Sequence, residues 1–312
     1  MRIIKPKALQ RGDIIGICAP SSPPSSPQKI QKGITYLESL GYRIEIGKNV
    51  YAKRGYLAGT DIQRASDLNA LFGNPKAKAI FTVRGGYGVH RILPFLNYPL
   101  IKQNPKILVG YSDITALELA LFTKTKLVTF SGPMVSVEMA SDLSGATEES
   151  FWRFLTHPEP PNPLHFKKES PLKDNRNRFS NGRLLGGNLS LINSILGTTY
   201  FPSLSDCILL LEEIDERPYR IDRMLQQLKL AGTFKKINGI VLGKFINCKA
   251  EKGKPSLNLR QIMKDTFQQF VHPILEDIPY GHIKNSLTLP IGIRVQLDST
   301  RNSLTFLEGS VV

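Results

Sequence analysis

A serine follows a buried-looking apolar run in ILVGYSDITALELALF, where residues 107–110 read as a strand, Ser112 falls on the turn and a helix starts at about Asp113. Ligands of open parallel sheets bind at the carboxyl ends of strands, so Ser112 is placed where a nucleophile would stand. A sharp strand-turn-helix elbow exposes the hydroxyl, and the helix start offers free N–H groups and a positive dipole end to a developing oxyanion. Read without chemistry, Ser112 and Asp113 simply cap the helix, a frequent use of both residue types. The elbow pattern G-x-S-x-G is also incomplete, because Ile114 stands where the second glycine would be.

Three further segments carry reactive groups. VRGGYGVHR follows another predicted strand, AIFTV, and its Gly85, Gly86 and Gly88 allow the backbone to approach a ligand closely. Neither phosphate-binding glycine pattern is present, so the loop reads either as a set of N–H donors facing Ser112 or as a plain glycine turn. LLLEEIDERPYRIDRML places Glu212, Glu213, Asp215 and Glu216 after an apolar strand, interleaved with Arg217, Arg220 and Arg223. Either one acid enters a site or the group is a surface salt-bridge network. Strand alternation puts Glu212 and Glu213 on opposite faces, which admits at most one of them to a given site.

IPYGHIKNSLTLPIG holds His282 in an irregular stretch after Gly281. Of the other histidines, His157 and His165 lie in a proline-rich stretch, His272 precedes a proline, and His90 belongs to the glycine loop as a second candidate base. A serine, a carboxylate that orients a histidine, and the histidine as base make a hydrolase triad in the chain order Ser112, Glu212, His282. No H-E-x-x-H or other metal pattern occurs, and neither metal nor cofactor is implied.

The elements that must position these groups follow from periodicity. In residues 14–130 the short Ile- and Val-rich runs IIGICA, RIEI, AIFTV, ILVG and LVTF alternate with helical periods such as Ile30, Ile34 and Leu37, or Ile114, Leu117 and Leu121. That rhythm predicts an α/β fold with a parallel sheet and crossover helices. Residues 156–181 carry five prolines and many charges and read as a linker. Beyond it, Leu189, Ile192 and Leu196 share a helical face closed by Gly197, and CILLLEEI and GIVLGKF read as strands. Pro218 opens a helix with Ile221, Met224, Leu225 and Leu228 in register, and the tail alternates like a closing hairpin. The division expected is 1–155, a linker at 156–181, and 182–312.

Composition bounds the function. The chain has 312 residues with 41 Lys+Arg against 26 Asp+Glu, a formal net charge of +15, and 41% hydrophobic residues, enough apolar material for true cores. The positive charges are scattered and no helix-turn-helix, zinc-finger or RNP pattern accompanies them, so a solvated basic surface outranks a nucleic-acid binder. Cys18, Cys207 and Cys248 have no CxxC spacing and read as buried thiols in a reducing compartment. The apolar run near the start is too short for a signal-peptide core and nothing approaches a membrane-spanning length, which predicts a cytoplasmic protein.

GDIIGICAPSSP, VRGGYG, LVGYSDITAL, GRLLGGNLSLI, LLEEIDERPYRIDRMLQQL and PYGHIKNSLTLPIG together resemble the LD-carboxypeptidases, serine peptidases that trim D-alanine from murein tetrapeptides. The likeness keeps one order from about residue 10 to about residue 300. It implies an N-terminal α/β domain resembling class I glutamine amidotransferases, a smaller C-terminal α/β domain, a site between them and a homodimer. It also implies Ser112 as nucleophile, Glu212 and His282 as its partners, and the backbone of Gly86 and Asp113 as the oxyanion hole. Family members often have Glu-Asp where this chain has Glu212-Glu213. Arg84, Arg220 and Arg223 are the arginines from which a reader of the substrate carboxylate would come. A microcin-immunity branch of the same family, acting on peptidyl or aminoacyl nucleotide analogues, is the second reading.

Overall fold

The computed structural model describes residues 2–141, 143, 145–166 and 178–312. Its first sheet uses the five apolar runs marked above: β1 (Ile14–Cys18), β2 (Arg43–Ile46), β3 (Ala77–Thr82), β4 (Ile107–Val109) and β5 (Thr129–Ser131). These are parallel and ordered β5-β4-β3-β1-β2. Helices α1 (Pro27–Ser39), α2 (Asp61–Gly73), α3 (Val89–Ile92), α4 (Tyr98–Gln103) and α5 (Ile114–Thr125) connect them, and α6 (Gly145–Thr156) follows. Local chemistry sets the helix starts. Ser26 caps α1 ahead of Pro27, and Thr60 and Gln63 form a reciprocal capping box on α2.

The second sheet is built from β6 (Leu164–His165), β7 (Phe179–Asn188), β8 (Cys207–Ile214), β9 (Gly239–Ile246) and β10 (Ile274–Leu275), with α7 (Leu189–Ile195), α8 (Pro218–Leu230) and α9 (Leu259–Phe267) among them. The chain then returns to the first sheet as β11 (Leu289–Ile291), antiparallel to β5, before β12 (Arg294–Asp298) and β13 (Ser303–Phe306) close as the expected antiparallel hairpin. The order is β10-β9-β8-β7-β12-β13-β6, with the first four parallel.

Within the proline-rich stretch 156–181, β6 pairs with β13 and β7 begins at Phe179; residues 167–177 of that predicted linker lie outside the described residues. The strand β7 was not foreseen, because Gly182, Gly186 and Gly187 interrupt its apolar pattern.

Helix α5 is apolar and buried on nearly every face, since it lies between its own sheet and β7 and α7 of the second. Gly187 makes that approach feasible: a Cβ there would come within 2.6 Å of the Thr115 hydroxyl. All three cysteines are free and buried, and burial pushes their thiols up, Cys248 to about 11. Among the described residues no helix is long and apolar enough to cross a membrane.

Candidate active site

Ser112 lies between the end of β4 and the start of α5 with φ 64°, a left-handed backbone conformation that costs a non-glycine residue about 1–2 kcal/mol. Its carbonyl accepts from Thr115 N–H at 2.9 Å, which starts the helix, while its hydroxyl makes no hydrogen bond among the described residues. The strained turn thus spends backbone energy on presenting an uncommitted hydroxyl at a strand end.

The glycine loop packs directly on this turn. A Cβ on Gly85 would meet the Ser112 Cβ at 2.8 Å and its Oγ at 3.1 Å, so only glycine permits the contact. Among the described residues, the backbone N–H groups of Gly86 and of Asp113 have no hydrogen-bond acceptor.

Two buried charged side chains hold the loop. Asp113 is 1% exposed, and its Oδ2 accepts from Ser21 Oγ at 2.6 Å and from Val89 N–H at 3.0 Å. Burial raises its pKa despite those two donors and the charges of His90 and Arg64. Arg64 donates from Nη1 to the carbonyls of Pro20 and Gly88, at 2.5 and 2.8 Å, and from Nη2 to Asp61 at 2.6 Å. The start of the 20–22 segment and the end of the 85–89 segment are therefore both pinned to these two side chains.

On the second sheet, Glu212 at the end of β8 is 1% exposed, and its Oε2 lies 2.8 Å from His282 Nδ1. An ionised carboxylate only accepts, so the proton is assigned to Nδ1 and Nε2 keeps its lone pair. Burial lowers the His282 pKa, but the Glu212 hydrogen bond and the charges of Glu212, Glu213 and Glu138 outweigh it, and the net shift is upward. The His282 ring packs edge-to-face on Tyr111, the residue before Ser112, with centroids 5.0 Å apart. Base and serine turn therefore share a wall.

Asn188 joins the two acids. Its Nδ2 donates to Glu212 Oε1 at 3.2 Å and to Glu213 Oε1 at 2.8 Å, and Glu213 Oε2 accepts from Ser190 N–H and Oγ at 2.8 and 2.6 Å. Simple alternation keeps Glu212 and Glu213 on opposite faces. A register shift between Leu211 and Glu213 breaks that alternation, and both carboxylates reach one amide. Burial raises the pKa of Glu213 despite these donors.

Of the remaining candidates, His90, His157, His272, Arg220 and Arg223 have partners elsewhere. His90 Nε2 lies 2.6 Å from Ser194 Oγ on α7, and burial lowers its pKa. His157 pairs with the Thr156 hydroxyl, His165 is on β6, and the His272 ring meets Phe270. Arg220 contacts Glu216 and the Tyr219 hydroxyl, and Arg223 lies over the Tyr219 ring at 5.5 Å. Arg84 is half-buried next to Gly85 and forms no ion pair among the described residues.

Sequence reasoning missed Asn188, Arg64, Tyr111 and Glu138. Asn188 carried one usable signal, an asparagine ahead of a helical run: its Oδ1 caps α7 by accepting from Leu191 N–H.

Comparison with known proteins follows the same two halves. The LD-carboxypeptidase N-terminal domain matches residues 15–132 and the LD-carboxypeptidase C-terminal domain matches residues 181–297. The "Probable murein peptide carboxypeptidase" of Bacillus subtilis (strain 168) is 38% identical, covering 98% of this chain and 95% of that protein. The microcin C7 self-immunity protein MccF of Escherichia coli is 30% identical over 95% of this chain and 94% of its own length. A solved wild-type apo structure of MccF superimposes with TM-score 0.88 at 26% identity, covering 99% of this chain and 100% of that one. The muramoyltetrapeptide carboxypeptidase of Oxalobacter formigenes superimposes with TM-score 0.82 at 31% identity, covering 94% of this chain and 97% of that one.

Proposed function

This chain belongs to the LD-carboxypeptidase family, and on that premise we propose that Ser112, Glu212 and His282 carry its chemistry, with the N–H groups of Gly86 and Asp113 as the oxyanion hole. The protein is a serine-type carboxypeptidase, and its reaction is release of the terminal D-alanine of murein tetrapeptide. The observation that carries the residue assignment is the 2.8 Å bond from His282 to buried Glu212, with the imidazole packed on the residue that precedes the strained, uncommitted Ser112.

In this mechanism His282 Nε2 takes the Ser112 proton as Oγ attacks the carbonyl between the diamino acid and D-alanine. Glu212 holds the tautomer and stabilises the imidazolium. Gly86 and Asp113 N–H groups receive the oxyanion, each donor being worth on the order of 100- to 1000-fold in rate. The imidazolium returns the proton to the departing D-alanine amine, and water then cleaves the acyl-enzyme by the same route in reverse, releasing the tripeptide.

Incubating the protein with murein tetrapeptide and following D-alanine by mass spectrometry tests the assignment. Ser112→Ala should lose roughly a million-fold in rate. Undiminished release by that variant would remove Ser112 as nucleophile.

The likeness to MccF favours a second reading, an immunity-type peptidase acting on peptidyl or aminoacyl nucleotide analogues. Side-by-side rates on tetrapeptide and on such an analogue separate the two. The same proposal places the protein in the cytoplasm, in peptidoglycan recycling, as a homodimer whose lobes divide at 155 and 182, with the +15 charge as solvated surface rather than a nucleic-acid site. Light scattering tests the dimer, and nucleic-acid affinity that falls steeply with salt would restore the rejected binder.

A further inference from the structure

A second set of contacts reaches the imidazole through Tyr111. The Tyr111 hydroxyl donates to Glu138 Oε1 at 2.7 Å, and the other Glu138 oxygen accepts from Met134 N–H at 2.9 Å. Glu138 is thereby fixed from two directions in the turn after β5, and it fixes the phenol in turn. The Tyr111 ring meets the His282 ring at 5.0 Å with an interplanar angle of 65°. Edge-to-face aromatic packing of this kind contributes about 0.5–1.5 kcal/mol and selects one ring orientation.

The nearby space argues against a substrate-reading role for Glu138. The cavity bounded by Tyr111, Ser131, Pro133, Glu138, Tyr280 and Ser286 has a volume of about 10 Å³, room for one water and too small for the charged end of a diamino acid. The carboxylate is spent on the tyrosine.

An imidazole tethered only by its Nδ1–H to Glu212 can still swing about that bond. We propose that Tyr111 and Glu138 form a positioning pair for the catalytic base: Glu138 locks the phenol, and the locked ring blocks the swing that would carry His282 Nε2 away from Ser112. This inference rests on the triad reading above and adds two residues to it. Neither touches the reacting atoms, so both are positioning residues.

The test is a cycle on tetrapeptide hydrolysis. Tyr111→Phe keeps the ring and removes the bond to Glu138, Glu138→Ala removes the acceptor, and Glu138→Gln keeps an acceptor oxygen. Tyr111→Phe and Glu138→Ala should each lower kcat about 10-fold with KM within about twofold, the scale of losing a supporting contact to a reacting group. The double variant should be no slower than either single one, because the pair acts as a unit. Glu138→Gln should recover most of kcat.

Unchanged kcat in both single variants, a rise in KM alone, or fully multiplicative losses would each overturn the proposal. Should Glu138→Ala fail to fold, judged by its melting transition, Tyr111→Phe with Glu138→Gln decides. Ser112→Ala, run alongside, keeps the two ideas apart: its full activity would dispose of the triad, whereas a dead Ser112→Ala with an unaffected Tyr111→Phe would dispose of the pair alone.

Discussion

Thr115, one helical turn past Ser112 on α5, accepts a hydrogen bond from the backbone N–H of Asn188 on the second sheet at 3.2 Å, and the Asn188 amide bonds both Glu212 and Glu213. The helix that begins at the nucleophile is thus tied, through a single residue, to the carboxylate that orients the base. No side chain of the proposed triad makes that tie itself.

Asn188→Ala should therefore cost more than a helix cap. Two carboxylates with 1% and 2% exposure would lose a shared donor, a penalty of roughly 2–4 kcal/mol. Calorimetry should record a lower melting temperature, and kcat should fall as Glu212 loses its second anchor. Asn188→Asp should be worse still, since it puts a third carboxylate against the first two. If Asn188→Asp melts above Asn188→Ala, the amide is not serving the acids.

Asp113 separates side-chain from backbone roles. Its carboxylate bonds Ser21 and Val89, while its N–H, next to Ser112 in the chain, has no acceptor among the described residues. Asp113→Ala keeps the N–H and releases the loop that carries Gly86, so kcat should drop about 100-fold. Asp113→Asn, which retains one acceptor oxygen, should lose less. Steady-state kinetics on tetrapeptide decides it; equal activity of the alanine variant would mean that the loop is held without the carboxylate.

Much of this architecture was readable from residue types. Ile- and Val-rich runs gave all five parallel strands of the first sheet, and Pro218 marked a helix start, whereas the caps Ser26 and Thr60 carried no reading of their own. Glu212 and His282, 70 residues apart, were singled out because each follows a predicted strand or turn, and they do meet. What stayed hidden depends on approach rather than on pattern. The glycines of β7 look like a loop until α5 is seen against them. Arg64 looks like a solvent-facing helix residue, yet it is 1% exposed and bound to two loop carbonyls. The bulge beside Glu213 has no sequence signature, and Tyr111 meets Glu138 only because β4 and β5 are neighbours.

The His282 shift sets a pH dependence. A base must be neutral to accept the serine proton, and the folded pKa lies above 6.5 because its carboxylate neighbours outweigh desolvation. The acid limb of kcat/KM should therefore fall above pH 6.5. Glu212→Gln removes the largest upward influence and leaves desolvation, so the limb should move to lower pH while kcat falls. For stability the sign is also fixed: the charged imidazole contributes fully below the unfolded pKa of about 6.5, and the contribution is lost as pH rises through the folded value. A limb that stays in place in Glu212→Gln would assign it to another group.

Glu118 offers a test unrelated to catalysis. It lies on α5 at 0% exposure, with the Thr129 hydroxyl as its polar neighbour, and no well-formed hydrogen bond joins the two among the described residues. Burial raises its pKa well above the usual carboxylate value, against the lowering effect of the Thr129 hydroxyl, which favours the neutral acid in the folded chain. A buried carboxyl without a well-formed hydrogen bond costs about 1–3 kcal/mol, and methionine has nearly the same length without that cost. Glu118→Met should raise the melting temperature, by about 2–4 °C for each kcal/mol gained in a chain or lobe of about 150–250 residues. The gain should also depend on pH. Above about 4.5 the unfolded carboxyl releases its proton while the folded one keeps it, so the wild type loses stability with rising pH, by up to about 1.4 kcal/mol per unit, until the folded pKa is reached. The methionine variant lacks that slope, and its advantage measured by denaturant unfolding should widen from pH 5 to pH 8. A constant difference, or a variant less stable throughout, would mean that the carboxyl is charged or bonded in the folded protein.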